Sequence, residues 1–138
     1  MNWHTRVREV MTRNPVTVDI DDPPSRIQEV LGLSPFHHLI VMENGVVAGV
    51  ISTIDLARVS LGVWVEDART QQAWLDAAFT VRELMTAEPD SINVDDPVKL
   101  AADRLAHGSY HCLPVLDDNN KLINIVTSTD LLRWLVIA

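Results

Sequence analysis

The sequence predicts a mixed α/β (α+β) fold of two pseudo-symmetric repeats, each a small mixed sheet packed with two helices. Three observations predict it. Residues 7–41 align without a gap on residues 81–115: Met11 and Met85, like Pro23 and Pro97, stand 74 positions apart, and 13 of 35 pairs are identical. Ordinary composition gives about two or three. The stretch GVISTIDL, from Gly49 to Leu56, returns as NIVTSTDL, from Asn124 to Leu131. Within each copy, alternating or continuous apolar runs and 3.6-period segments follow in the order strand, helix, strand, strand, helix. A period this long, present twice, fits a two-lobed domain better than a solenoid. One extra residue in the Asp117–Lys121 turn makes the offset 75 at Asp55 and Asp130, and a surface turn is where a length change costs least. Residues 5–62 are thus repeat 1, 63–79 a linker helix and 80–138 repeat 2.

Val7, Val10 and Met11 share one helical face, which predicts a short leading helix. Val16 to Ile20 alternates as a strand. The acids Asp21 and Asp22, followed by Pro23 and Pro24, predict a capped helix over 24–33 with Ile27, Val30 and Leu31 inward. Pro24 and the Ser34-Pro35 pair predict that this helix is short or bent. Leu39 to Met42 reads as a buried strand, and the Glu43-Asn-Gly turn joins it to a strand over 46–51. Asp55 to Val59 begins a helix that breaks near Gly62. The linker carries Trp64 and Trp74 at spacings that suit either core packing or a partner. In repeat 2 a strand over 91–94 leads to Asp96 as N-cap, Pro97 in the first turn and a helix over 98–107 closed by Gly108. Strands over 113–116 and 122–127 form a hairpin, and a last helix spans 130–136.

Composition narrows the function. Eleven basic against nineteen acidic residues give a net charge of −8, which disfavours nucleic acid or an anionic membrane as partner. The single cysteine, Cys112, leaves no internal disulfide and fits a reducing compartment. No apolar run reaches the length of a membrane span and no signal core opens the chain, so a cytoplasmic location is expected. The phosphate loop, nucleophile elbow, zinc-protease helix and cysteine-pair motifs are absent, and the chain is not expected to be an enzyme. Cys112, beside Leu113 and Pro114, reads as a buried, inert thiol rather than a nucleophile. No metal site is expected, because adjacent His37 and His38 on an extended chain point to opposite faces.

The two turns Ser52 to Asp55 and Thr127 to Asp130 admit two readings. A Ser or Thr followed three residues later by an acid is close to a capping box, in which the side chains satisfy free backbone N–H groups. Alternatively, the carboxylate accepts both hydroxyls of a vicinal diol such as ribose, with the neighbouring hydroxyl on the sugar or its phosphate. One carboxylate cannot do both fully.

The run VRELMT at 81–86, CLPVLD at 112–117 and the duplicated Ser/Thr-x-x-Asp turns together resemble the CBS domain family, the modules named after cystathionine β-synthase. The resemblance spans about Thr5 to Leu135. It implies that the two repeats pack into one Bateman module, that the turn aspartate holds ribose, and that adenine lies on the backbone of the other repeat's first-strand segment. One cleft would then combine Thr12 and Val16 with Thr127 and Asp130, the other Thr86 and Asp90 with Ser52 and Asp55. His37, His38 and His111 stand where related modules place phosphate contacts, and Arg13 is a further phosphate candidate; a solvated or internally satisfied side chain is the competing reading for each. The resemblance implies a regulatory module sensing AMP, ADP, ATP, NAD or S-adenosylmethionine, with no obligatory cofactor. It also implies a homodimer through the repeat helices, where Ala101, Leu105, Leu131, Leu132 and Leu135 supply apolar faces that suit an internal core equally well, and an unidentified regulated protein. The alternative is a dimerisation or interaction module that binds no nucleotide. Three departures stand out: Asn124 replaces the glycine seen at Gly49, where bulk would crowd a ligand, Ile40 replaces the proline seen at Pro114, and the first helix of repeat 1 carries Pro24 and Ser34-Pro35.

Overall fold

The computed structural model describes residues 2–12, 15–33, 37–60, 67–108 and 111–137. Expectations attached to Arg13, Ser34, Pro35, Gly62 and Trp64 lie outside the described residues. After a 3₁₀ turn at Val7–Glu9, repeat 1 forms β1 (Thr17–Asp19), α1 (Pro24–Leu33), β2 (His38–Glu43), β3 (Val46–Ser52) and α2 (Thr53–Ser60). The linker forms α3 (Ala68–Ala78). Repeat 2 forms α4 (Val81–Leu84), β4 (Thr86–Ala87), β5 (Ile92–Asn93), α5 (Val98–His107), β6 (Cys112–Leu116), β7 (Leu122–Thr127) and α6 (Ser128–Ile137).

The strands make two sheets, ordered β1-β2-β3-β4 and β5-β6-β7. In each, the first pair is parallel: Val18 stands opposite Val41, and Ile92 opposite Val115. Strands β6 and β7 are antiparallel, with Leu113 opposite Val126. Asn44 and Gly45, at φ 51° and 79°, close the β2–β3 turn in the left-handed conformation that a tight hairpin turn requires. Strand β4 runs antiparallel to β3, Thr86 opposite Val50. In the other sheet the corresponding place is taken by Thr12, whose N–H donates to the Ile125 carbonyl at 2.9 Å.

The chain divides into two compact units: an outer one of Met1–Pro15, Gly45–Val47 and Pro89–Ala138, and a middle one of Val16–Asn44 and Ala48–Glu88. The core of the outer unit joins the fully buried Val7 to Val94, Val98, Leu113, Val115 and Val126. The middle core joins Val81 and Leu84 to Ile27, Leu39, Ile51 and Leu75. Each repeat's leading segment is therefore buried among the strands of the other repeat, where a fully buried valine contributes about 1.5–3 kcal/mol. Backbone bonds hold it there: Val7 N–H donates to Asp96 and Arg8 N–H to Val94. Arg8 Nε also donates to Asp95 Oδ1 at 3.0 Å, and this bond holds the Asp95 carboxyl below the ordinary aspartate range.

The helix starts differ from expectation. Asp22 and Asp96 do not cap α1 and α5; each accepts a 2.9 Å bond from the preceding strand, from Asp19 N–H and Asn93 N–H respectively. Asp96 lies one residue before the N-cap, Pro97, so its carboxylate turns back rather than forward. The free N–H groups are satisfied from elsewhere. Asp76 of α3 accepts from Ser25 N–H and its hydroxyl at 2.8 and 2.6 Å. Val98 and Lys99 N–H donate to the Thr5 and Trp3 carbonyls. Helix α1 is not shortened: it has 10 residues, as α5 has. Gly108 is the C-cap of α5, bonding back to Arg104. Trp74 packs on the middle core, edge-on to Phe79 at 5.9 Å. Cys112 is buried, and burial pushes its thiol up to about 12, which makes it inert at neutral pH.

Candidate functional site

In the middle unit, β3 ends at Ser52 and α2 starts at Thr53. The Ser52 N–H and hydroxyl donate to Asp55 Oδ2 at 2.8 and 3.0 Å, and Asp55 N–H donates back to Ser52 Oγ at 3.3 Å. This is a capping box. Only one carboxylate oxygen is engaged; among the described residues Oδ1 has no hydrogen-bond partner, and the side chain is half-buried. The His37 carbonyl accepts the Thr53 N–H and fixes the strand against the helix start.

The outer unit repeats the construction with more partners. Thr127 N–H donates to Asp130 Oδ2 at 2.8 Å, and Asp130 N–H donates to Thr127 Oγ1 at 3.1 Å. The Thr12 hydroxyl, 118 positions away in sequence, lies 2.8 Å from both Asp130 oxygens. Arg133 adds an ion pair at 3.5 Å, and Asp130 is only 4% exposed. The His111 carbonyl accepts the Ser128 N–H, as His37 does for Thr53.

Thr12, Thr127 and Asp130 are thus brought together in the outer unit. Val16 belongs to the middle unit, where it packs on the core. Ser52 and Asp55 are together in the middle unit, and Thr86 lies exposed on the strand beside β3. Asp90 belongs to the outer unit and pairs with Arg104 at 3.6 Å. His37 and His111 are exposed and His38 is half-buried at the start of β2.

Gly49 has a steric reason. A Cβ there would meet Met85 Sδ at 2.5 Å and the Thr86 carbonyl oxygen at 2.7 Å. At the equivalent Asn124 the amide is accommodated, 9% exposed, with Oδ1 buried and unpartnered among the described residues. Ile40, fully buried, fills its strand position where the other repeat has Pro114.

Two features escaped sequence reasoning. Arg58 and Arg133 follow Asp55 and Asp130 by three residues, a duplication the 75-residue offset already contains. Trp3 and Trp134 join Leu105, Leu131, Leu132 and Leu135, whose apolar faces the sequence does show, in lining an apolar groove of about 260 Å³ on α5 and α6. Among the described residues no three His, Cys, Asp or Glu side chains are grouped to hold a metal, and no helix is long and apolar enough to cross a membrane.

Known proteins share the family and the fold. The CBS domain profile matches residues 7–62 and 81–137. The CBS domain-containing protein YhcV of Bacillus subtilis is 30% identical over 128 residues, 91% of this chain and 81% of its own. A homoserine O-acetyltransferase of Methanococcoides burtonii is 29% identical over 131 residues, 94% of this chain, but the chain spans only 24% of that relative's length. Among solved structures, CBSX2 of Arabidopsis thaliana in complex with AMP superposes with a TM-score of 0.79 at 23% identity, covering 96% of each chain. The CBS domain pair of protein MJ0100, in complex with 5′-methylthioadenosine and S-adenosyl-L-methionine, gives 0.77 at 23% identity, again over 96% of each chain. With both repeats matched and the fold shared over nearly the whole chain, the protein belongs to the CBS domain family as a tandem CBS pair, a Bateman module.

Proposed function

We propose that this pair is a regulatory, non-catalytic module of the cytoplasm that binds an adenine-containing nucleotide or nucleoside. The acid of a Ser/Thr-x-x-Asp turn grips the ribose, and the bound state is passed to a regulated protein. The observation that carries the reading is the half-buried Asp55, held rigid by Ser52 through one oxygen while the other meets no donor among the described residues. Such an oxygen is preorganised to accept a sugar hydroxyl. The AMP in CBSX2 and the adenosyl ligands in MJ0100 support the ligand class. Regulation follows if the ligand binds two arrangements of the protein with different free energy.

Thermal unfolding with AMP, ADP, ATP, NAD and S-adenosylmethionine tests this. A ligand at a hundred times its Kd adds about 2.7 kcal/mol to the native state, so at least one should raise Tm. The same ligand should lose its effect on a chain carrying Asp55→Asn and Asp130→Asn. Equal stabilisation of wild type and double variant would remove the ribose role.

We also propose that two copies meet through α5 and α6. The apolar groove there and the exposed Leu132, Val136 and Ile137 favour it, since contiguous exposed apolar surface marks interaction sites. Sedimentation should report a dimer for the wild type and a monomer for Leu132→Glu; a dimer that survives Leu132→Glu unchanged places the interface elsewhere.

A further inference from the structure

We propose that the two acid turns divide the work. Asp55 together with Arg58 holds the sugar and phosphate of a phosphorylated adenylate, while Asp130 is a structural acid latched by Thr12. This rests on the ligand reading above and adds to it a ligand class, a phosphate contact and a stoichiometry. The two turns have the same residue types, yet their acids differ in what they have left to offer. Asp130 is nearly inaccessible, with the Thr12 hydroxyl on both oxygens, the Thr127 N–H on Oδ2 and Arg133 on Oδ1. A diol would have to displace internal donors to reach it. Asp55 uses one oxygen only, and Thr86, the counterpart of Thr12, makes no hydrogen bond to it.

The arginines differ in the same sense. Arg133 is committed to Asp130, whereas Arg58 is exposed and has no acidic partner among the described residues. Asp55 and Arg58 lie three residues apart on α2 (Thr53–Ser60), on one helical face with Cβ atoms about 5–6 Å apart. An acceptor for a diol and a planar guanidinium one turn along suit the two ends of a nucleoside 5′-phosphate, and the guanidinium fork matches phosphate oxygens bidentately. A nucleoside without phosphate uses only the first.

Calorimetric titration of AMP and of adenosine into wild type, Asp55→Asn and Arg58→Gln tests the division, with circular dichroism melts confirming that each variant is folded. Wild type should bind one AMP per chain, and Asp55→Asn should lose saturable binding of both ligands. Arg58 is exposed, so its replacement leaves the fold intact; it should cut the ratio of AMP to adenosine affinity about tenfold. Two equal AMP equivalents in wild type, one equivalent surviving Asp55→Asn, or an unchanged affinity ratio in Arg58→Gln would each overturn the division while leaving adenylate binding standing. A wild type that takes up neither ligand would overturn the division as well, and the ligand reading itself falls only if ADP, ATP, NAD and S-adenosylmethionine also leave Tm unchanged.

Discussion

Replacing Asp130 by alanine should destabilise the protein by about 3 kcal/mol, because the change strands several donors at once. The Thr12 hydroxyl and the Thr127 N–H both point at its carboxylate, and the side chain is almost wholly buried. Each hydrogen bond to a charged group contributes about 1.5–3 kcal/mol, and a buried donor left unsatisfied loses its desolvation energy as well. Loss of the acidic half of the α6 capping box adds about 1 kcal/mol, but these terms overlap at one residue and do not sum. The comparison that isolates the effect is Asp55→Ala, which removes only the local box with Ser52 and should cost about 1 kcal/mol. Thr12→Val should fall between them. Urea denaturation reads all three as shifts of the midpoint at constant slope. Equal costs for the two alanine variants would mean that the Thr12 contact contributes nothing.

Gly49→Val is expected to cost about 2–4 kcal/mol by a different route. The first added atom would sit 2.5 Å from Met85 Sδ and 2.7 Å from the Thr86 carbonyl oxygen. The thioether can swing aside. The carbonyl cannot, because it belongs to β4, which is paired to β3 at Gly49 with Ala87 and Val50 with Thr86. Relief therefore requires giving up that pairing. The converse change, Asn124→Gly, removes a buried amide whose Oδ1 has no partner among the described residues; that gain offsets the backbone entropy of a strand glycine, and the net change should stay within about 1 kcal/mol. Thermal melts of both variants check the asymmetry. A Gly49→Val protein as stable as wild type would show that β4 is not held against β3.

Much of the fold was readable before any coordinates because it is encoded locally. The Asn44-Gly45 turn has the two positive φ angles that the residue pair favours. The internal faces of α1 and α5 follow from apolar spacing, with Ile27 and Leu31 in one core and Ala101 and Leu105 in the other. The capping boxes at Ser52 and Thr127 were legible as a three-residue spacing. Helix starts were less so: Asp96 has the right residue type one position too early, and the acceptor that caps α1 comes from Asp76, fifty-one residues on. Arg58 was overlooked because one exposed arginine on a helix carries no signal until its counterpart is seen paired with an acid.

The amino-acid order by itself determined that one strand and helix unit is written twice, where its turns fall and that Asp55 and Asp130 open the last helix of each copy, since all of these depend on neighbours within a few residues. It did not determine which core Val7 and Val81 enter, because the two stand in nearly identical local contexts. Only the tertiary structure decided that Val7 is buried with Val98 and Val126, and Val81 with Leu39 and Ile51. The same holds for the acids. Asp55 and Asp130 are alike in sequence, and what separates them is a threonine hydroxyl delivered across 118 residues to one carboxylate, with none delivered to the other among the described residues. A long-range partner of that kind is selected by the sheet edge its segment joins, which no short-range pattern specifies.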